Sequence, residues 1–416
     1  MYSSLKIKKK LVNKIEIATI FLLFFYYLGP NLPRPVIQAW ALFGFLTIPL
    51  LILSSWKQFV WVLKQDFILS VLIAYVPLSF LWSTNPDITL TYSRAFIFST
   101  AFGIYLATRY SPKEQVRLLI WLLSVYTLIN LVVPLAMPSY GIEGGWRGIS
   151  TYKNSLAATM VMATMLFLDI YFYGHRYRLK ALIGAGIAFL ILLLSQGRGS
   201  LGIFVGLLPL LPFYKIVKQG YKLKIILGIF AILICGIIAL TIFTNLEFIV
   251  VDLLGKQMDL TGREPLWNYL IDRGLERPWL GYGYAGFWTN PTESLGVALK
   301  FSWIGGVGEG GGNSHSSYIE SFLQLGWLGL SLMLISLSIT LGRVILLLAL
   351  TKQIEFFWML QFLLLITIIS YYDSMGFLDY RNLLWVLYIS IAYSSAVVSP
   401  TVNPKYNKYK NLNYSS

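Results

Sequence analysis

Apolar runs closed by short polar or Gly/Pro-bearing breaks recur along the whole chain. Stretches long enough to span a bilayer, with allowance for tilt, number about twelve. They lie near 15–29, 36–53, 67–82, 94–108, 115–136, 154–173, 180–195, 199–214, 222–244, 316–342, 354–372 and 382–399. The pattern predicts an all-α polytopic membrane protein with about nine helices over 1–244 and about three over 316–399. Between them, residues 245–315 form one large extramembrane loop. Residues 400–416 form a polar tail, read as disordered. No internal repeat is visible.

The large loop carries a second periodicity. Thr261 and Glu264 have capping-box spacing, Pro265 follows, and Leu266, Trp267, Leu270, Ile271 and Leu275 recur at helical intervals. This predicts an amphipathic helix on the membrane surface, stopping at Pro278 and Gly281.

Composition supports the class: 57% of residues are hydrophobic and 12% charged, which excludes an ordinary soluble domain. The net charge of +15 would suggest nucleic acid in a soluble protein, but topology explains most of it here. With the N-terminus inside, 11 of the 33 Lys and Arg fall outside and the rest within inner segments. Both termini are therefore expected in the cytoplasm of a plasma-membrane protein, and no nucleic-acid partner is expected. The first segment, Lys6, Lys8, Lys9 and Lys10 before Ile17–Leu28, imitates a signal peptide. It lacks a small-residue cleavage site and is read as a retained helix. A single cysteine, Cys235, allows neither an intramolecular disulfide nor a cysteine-based metal site.

Basic residues placed against the positive-inside rule call for a local reason. Arg147 and Lys153, Arg198, and Arg263 occupy separate outer loops, and an anionic ligand such as a lipid-linked phosphate would explain them. Arginine binds phosphate oxygens bidentately and stays charged. Glycines beside Arg147 and Arg198 permit close backbone approach, and Arg263 falls at a helix start, where free N–H groups favour anions. The alternative for each is an interfacial residue on lipid headgroups.

His315, in Asn313-Ser-His-Ser-Ser-Tyr318, stands where the large loop re-enters the membrane. It is the best general base on that side, with Glu320, Asp373 and Asp379 as other candidates and Asn313 as a possible site residue. His175 reads as solvated, and Asp169 as interfacial near the cytoplasmic end of its helix. With two histidines and no D-x-D pair, neither a dedicated metal site nor a metal cofactor is expected. Gly281-Tyr-Gly283-Tyr-Ala-Gly286 matches G-x-G-x-x-G without the strand and βαβ unit a dinucleotide needs. The glycine run 305–312 lacks a P-loop Lys-Ser/Thr and reads as a flexible loop, with a lid over His315 as the alternative.

Several of these motifs fall in a familiar order. Gly145-Trp-Arg-Gly148 with Tyr152-Lys-Asn154, Leu194-Ser-Gln-Gly-Arg198 and Thr261-Gly-Arg-Glu-Pro-Leu-Trp267 resemble the O-antigen ligase and polymerase superfamily. Glu276-Arg-Pro-Trp-Leu-Gly-Tyr-Gly-Tyr284 and Asn313-Ser-His-Ser-Ser-Tyr-Ile-Glu320, continuing to Gly329, extend the resemblance over roughly 140–330. The Arg-Pro-Trp-Leu-Gly-Tyr-Gly stretch is most similar to the exopolysaccharide polymerase branch. The resemblance implies a GT-C-like glycosyltransferase moving a glycan from undecaprenyl diphosphate to an acceptor hydroxyl on a glycan or lipid, without a cofactor. It implies that Arg147, Arg198 and Arg263 bind the diphosphate and that His315 activates the acceptor. Tyr152 departs from the family, which usually has histidine before the Lys-Asn pair.

A rival reading is a transporter of a glycolipid or small anion, which would favour repeats, broken helices and midplane charges. A third is an assembly subunit on the same fold. Polymerase, ligase and protein glycosylation share these motifs, and the polymerase role is placed first.

Overall fold

The computed structural model describes residues 2–174, 176–217, 263–301, 303–304 and 312–399. The stretch expected near 222–244, Cys235, His175, Thr261, the glycines before Gly312 and the tail from 400 lie outside the described residues.

The chain opens with α1 (Tyr2–Tyr27) and α2 (Arg34–Ser54), then α3 (Trp56–Leu63), α4 (Phe67–Leu78) and α5 (Pro86–Arg109). Next come α6 (Pro112–Ala136), the short α7 (Pro138–Gly141), α8 (Lys153–Tyr173), α9 (Arg178–Leu194), α10 (Arg198–Leu207) and α11 (Leu210–Val217). The large loop contributes α12 (Arg263–Leu275), α13 (Gly286–Thr289) and α14 (Pro291–Lys300). The last helices are α15 (Ser317–Thr351), α16 (Ile354–Tyr372) and α17 (Leu383–Val398). Among the described residues there is no strand, only the isolated bridges Pro30–Ser150 and Ile142–Trp146.

Helix occupies every predicted apolar stretch that falls on described residues, but among those residues fewer helices qualify as spans than the twelve expected of the whole chain. By length and composition, α2, α6, α8, α15 and α16 can cross a membrane, giving 5, or up to 6 if the pair bent by 100° around α3 and α4 counts as one. The stretch near 222–244 lies outside that count, and two of the described stretches fall short for physical reasons. The 199–214 stretch is split into α10 and α11. α17 has 16 residues, and at 1.5 Å per residue it reaches about 24 Å, short of a hydrocarbon core of about 30 Å.

That short helix is the centre of the bundle. Every residue from Leu383 to Val397 is buried, with α5 and α15 among the helices packed against it. Its polar groups are paired, as burial demands. The Trp385 indole donates to Thr100 Oγ1 at 2.9 Å, Tyr388 and Ser336 hydroxyls meet at 2.7 Å, and Gln115 of α6 bridges Ser390 and Ser394. α2 is the opposite case: Leu46, Leu50 and Leu53 are 61–67% exposed, an apolar face suited to lipid rather than water.

α15 is broken at Gly326 (φ 66°, ψ −168°), and the large loop fills the break. Trp327 N–H donates to Pro278 O at 2.7 Å and Leu328 N–H to Trp279 O at 3.4 Å. In return Tyr282 N–H reaches Leu323 O at 3.0 Å and Gly283 N–H reaches Gln324 O at 2.9 Å. Backbone groups freed by the break thus find partners within protein, the condition for irregular backbone at membrane depth. The glycines of the G-x-G-x-x-G match serve this packing. A Cβ on Gly281 (φ +68°) would come within 2.5 Å of Gln324, and one on Gly286 within 2.7 Å of Ser83 Oγ.

The described part of the loop has its own small core. Leu266 and Leu270 of α12, Tyr282, Phe287, Trp288, Val297 and Ile304 close around Leu323 of α15. The predicted amphipathic helix is α12, ending at Leu275 just before Pro278. Asp169, near the end of α8, is 1% exposed within the bundle, with Gln361 of α16 donating to it at 3.2 Å.

Candidate active site

One end of the bundle gathers the ends of α6, α9 and α16 and the starts of α8, α10, α12 and α15. The Arg147 loop is held there by α6. Buried Asn130 accepts from Ile149 N–H through Oδ1 at 2.9 Å, and its carbonyl accepts from the Trp146 indole at 2.7 Å. Gly148 (φ +62°) lies so close to the Asn130 side chain that no Cβ fits. Arg147 and Gly148 N–H groups both donate to Gly141 O, at 2.9 and 3.0 Å.

Both cations of this loop are engaged locally. Arg147 donates to Tyr140 O at 2.7 Å and pairs with Glu143 at 2.7 Å, while its Nε has no partner among the described residues. Lys153 Nζ donates to Gly144 O. The loop docks on the end of α9, where Trp146 N–H meets Leu194 O at 3.0 Å, and a Cβ on Gly145 would lie 2.8 Å from Ser195 O.

Arg198, exposed, is the first residue of α10 after a turn with Gln196 at φ +56°. The next residue packs on Tyr372: a Cβ on Gly199 would stand 2.9 Å from its ring. Tyr372 is also where Arg263 arrives, with Nη1 donating to Tyr372 O at 2.5 Å. Gly199, the residue after Arg198, and Arg263 therefore both meet one residue at the end of α16.

The His315 turn is tied to the same place. Ser317 N–H and Oγ–H both donate to Asp373 O, at 3.2 and 3.1 Å, and the Trp267 indole of α12 donates to Ser314 O at 2.8 Å. His315 has φ +52°, its N–H capped by Asn313 Oδ1 at 2.9 Å and its ring stacked on Trp303 at 5.8 Å. Glu320 is spent on holding this turn. It accepts from the Trp288 indole at 2.7 Å, from Ser314 N–H at 3.0 Å and from Gln324 at 2.5 Å.

Arg263 sets the electrostatics. Burial, then the Arg263 charge, lowers His315 to about 4, so the imidazole is neutral at pH 7. Burial raises Asp373 to about 6, opposed by Arg263 and by the Met375 N–H on its Oδ1. Burial also lowers Arg263 itself, against the attraction of Asp373. Asp379, raised by burial, accepts from Arg381 N–H at 3.0 Å and interacts with Asp373.

The structure therefore brings Arg263, His315 and Asp373 together beside Tyr372, with Arg198 next in the chain to the glycine that packs on that ring and the Arg147–Lys153 loop docked alongside through α9. Glu320 and Asn313 support the histidine turn. Sequence reasoning missed Asn130 and Tyr372, because an asparagine or tyrosine in an apolar helix gives no signal of what it will hold.

Residues 183–334 match the family model for O-antigen ligase. Over these residues the chain is similar to the O-antigen ligase-like superfamily. The O-antigen ligase match runs from α9 into α15 and includes Arg198, Arg263, His315 and Glu320, while Arg147, Lys153, Asp373 and Asp379 lie outside it. No curated protein matches the chain. The helical architecture and the O-antigen ligase match together support a multi-pass membrane protein of ligase or polymerase type.

Proposed function

We propose that this protein is a membrane glycosyltransferase of the O-antigen ligase and polymerase type. It would move a glycan from undecaprenyl diphosphate to an acceptor hydroxyl at the outer face of the plasma membrane. The observation that carries the reading is the meeting of Arg263, His315 and Asp373 beside Tyr372 at one end of the bundle, where Gly199, the residue after Arg198, packs on the same ring. The finer architecture belongs to the same proposal: about twelve spans in a GT-C-like arrangement, with both termini cytoplasmic.

In this reading Arg263 and Arg198 face the diphosphate and stabilise the charge that builds on it as the sugar departs. Arg263 keeps donors in reserve, since among the described residues it makes one hydrogen bond, to Tyr372 O. Arg147 joins by releasing Glu143, whose side chain is 72% exposed and free to swing into solvent. The acceptor oxygen attacks the anomeric carbon as the carbon–oxygen bond to the diphosphate breaks, and the bond electrons leave with undecaprenyl diphosphate. The acceptor proton goes to His315. A diphosphate beside Arg263 offsets the positive charge that lowers His315, so the imidazole becomes more basic when the donor is bound. Attack opposite the leaving group inverts the anomeric centre. Polymerisation is placed ahead of ligation on the Arg277-Pro-Trp-Leu-Gly-Tyr-Gly283 stretch.

Transport keeps two observations, the bent α3–α4 pair and the buried Asp169. The deciding experiment uses membranes carrying wild-type or Arg263→Ala protein and labelled glycan on undecaprenyl diphosphate. Label leaving the lipid with wild type but not with the variant supports transfer, and product size separates polymerisation from ligation. Label that stays on the lipid yet crosses the bilayer would replace this reading with transport.

A further inference from the structure

At the opposite end of the bundle, α6 and α16 begin and α8 ends. A cleft of about 190 Å³ opens between these three helices, many times the roughly 10–15 Å³ that one water needs on that measure. Its lining combines two cations, Lys113 and Arg117, with two carboxylates, Asp169 and Glu355, over apolar walls that include Ile120 and Trp358.

Two features of this lining ask for a ligand. Asp169 is 1% exposed, and its Oδ2 has no partner among the described residues. The nearby Tyr173 and Tyr214 hydroxyls donate to Leu211 O and Lys352 O. A buried carboxylate oxygen without a donor is costly, so the missing group is an N–H or O–H donor. Meanwhile Lys113 and Arg117 lie four residues apart on α6, where like charges repel, and neither has an ion-pair partner among the described residues. They ask for an anion. The apolar walls ask for hydrocarbon.

We propose that this cleft binds a phospholipid with a primary-amine headgroup, a phosphoethanolamine lipid. Its phosphate lies on Lys113 and Arg117, and its ammonium donates to Asp169 Oδ2 and faces Glu355. A trimethylammonium headgroup carries the same charge but no N–H, so it leaves Asp169 unsatisfied, and an uncharged glycerol headgroup leaves both carboxylates without a cation. The lipid joins the starts of α6 and α16 to the end of α8, the same three helices that carry Asn130, Tyr372 and Lys153 at the far end. The site is separate from the proposed transfer chemistry and does not depend on it.

The test is native mass spectrometry of the detergent-purified full chain with phosphatidylethanolamine, phosphatidylcholine and phosphatidylglycerol of matched acyl chains. Charge-assisted hydrogen bonds predict that phosphatidylethanolamine is retained about tenfold more strongly than phosphatidylcholine. Asp169→Asn should abolish that preference. Lys113→Gln with Arg117→Gln should weaken retention of all three lipids, and Lys180→Gln, a cation at the same end outside the cleft, should change nothing. Both cleft cations are exposed, so their replacement keeps the test alive if the Asp169 variant does not fold. Equal retention of phosphatidylethanolamine and phosphatidylcholine, stronger retention of phosphatidylglycerol, or an undiminished preference in Asp169→Asn would overturn the proposal.

Discussion

Arg263 acts on two neighbours with opposite needs. Its charge adds to burial in keeping the His315 imidazole neutral and favours the ionised form of Asp373, which burial still holds up at about 6. The pH dependence follows in sign. As pH falls through about 6, Asp373 takes a proton first, while His315 stays neutral down to about 4. A reaction needing both groups deprotonated should show kcat/KM rising with pH through about 6 and level above it. In Asp373→Asn the acid limb should move down towards 4. A limb unmoved in that variant would assign the titration to another group. Replacing His315 by Ala should lower transfer by about 10²–10⁴-fold, measured with the labelled donor.

Glu320 makes a different prediction, because its oxygens are already occupied. Glu320→Ala strands the Trp288 indole, Ser314 N–H and Gln324. At about 1–3 kcal/mol for each buried group left unsatisfied, the variant should melt well below wild type in a detergent thermal-shift assay. An unchanged melting temperature with lost transfer would instead make Glu320 part of the chemistry. Arg147, Arg198, Arg263 and His315 stood out in the sequence as candidates because charge on loops expected outside the membrane has no generic reason to be there. The division of labour between His315, Asp373 and Glu320 was not, since three titratable groups near one loop differ only in what they face.

At the scale of elements, the break in α15 matters most. Gly326 is held at φ +66° with its Cα against the Trp279 backbone, and four backbone hydrogen bonds join the break to residues 278–283. Gly326→Ala adds both a strained φ and a steric conflict with backbone that cannot yield. The expected outcome is release of the 278–283 segment, seen as faster limited proteolysis near Trp279 and a lower melting temperature. Proteolysis at the wild-type rate would mean that the break tolerates a side chain. The helix preceding that segment was readable from its period, since α12 falls where Leu266, Trp267 and Leu270 predicted it. The broken helix was not, because residues 316–342 read as one continuous apolar run and only the docked loop reveals why Gly326 leaves helical geometry.

For the whole molecule, the bundle has two chemically distinct ends. The cluster around Tyr372 occupies one and the Lys113–Asp169 cleft the other, with α6, α8 and α16 running between them. On the positive-inside expectation, the Tyr372 end faces the outside of the cell. In a Cys235→Ala background, Thr292→Cys in α14 should therefore react with a membrane-impermeant maleimide from the outside, and Gln353→Cys before α16 only after the membrane is opened. The reverse pattern would invert the topology and leave the proposed donor on the wrong leaflet.

Sequence alone determined the solvent and the period. Apolar runs without charge can satisfy their backbone only as helices in lipid, so the class and most helix positions followed from composition and spacing. Tertiary structure decided the rest. It made the short α17 the buried centre, enclosed Asp169 against Gln361 of α16, and brought Arg263 and the residue after Arg198 to the same tyrosine. These outcomes depend on which faces meet across the bundle, and hydropathy, which is nearly uniform around such helices, does not encode a facing direction.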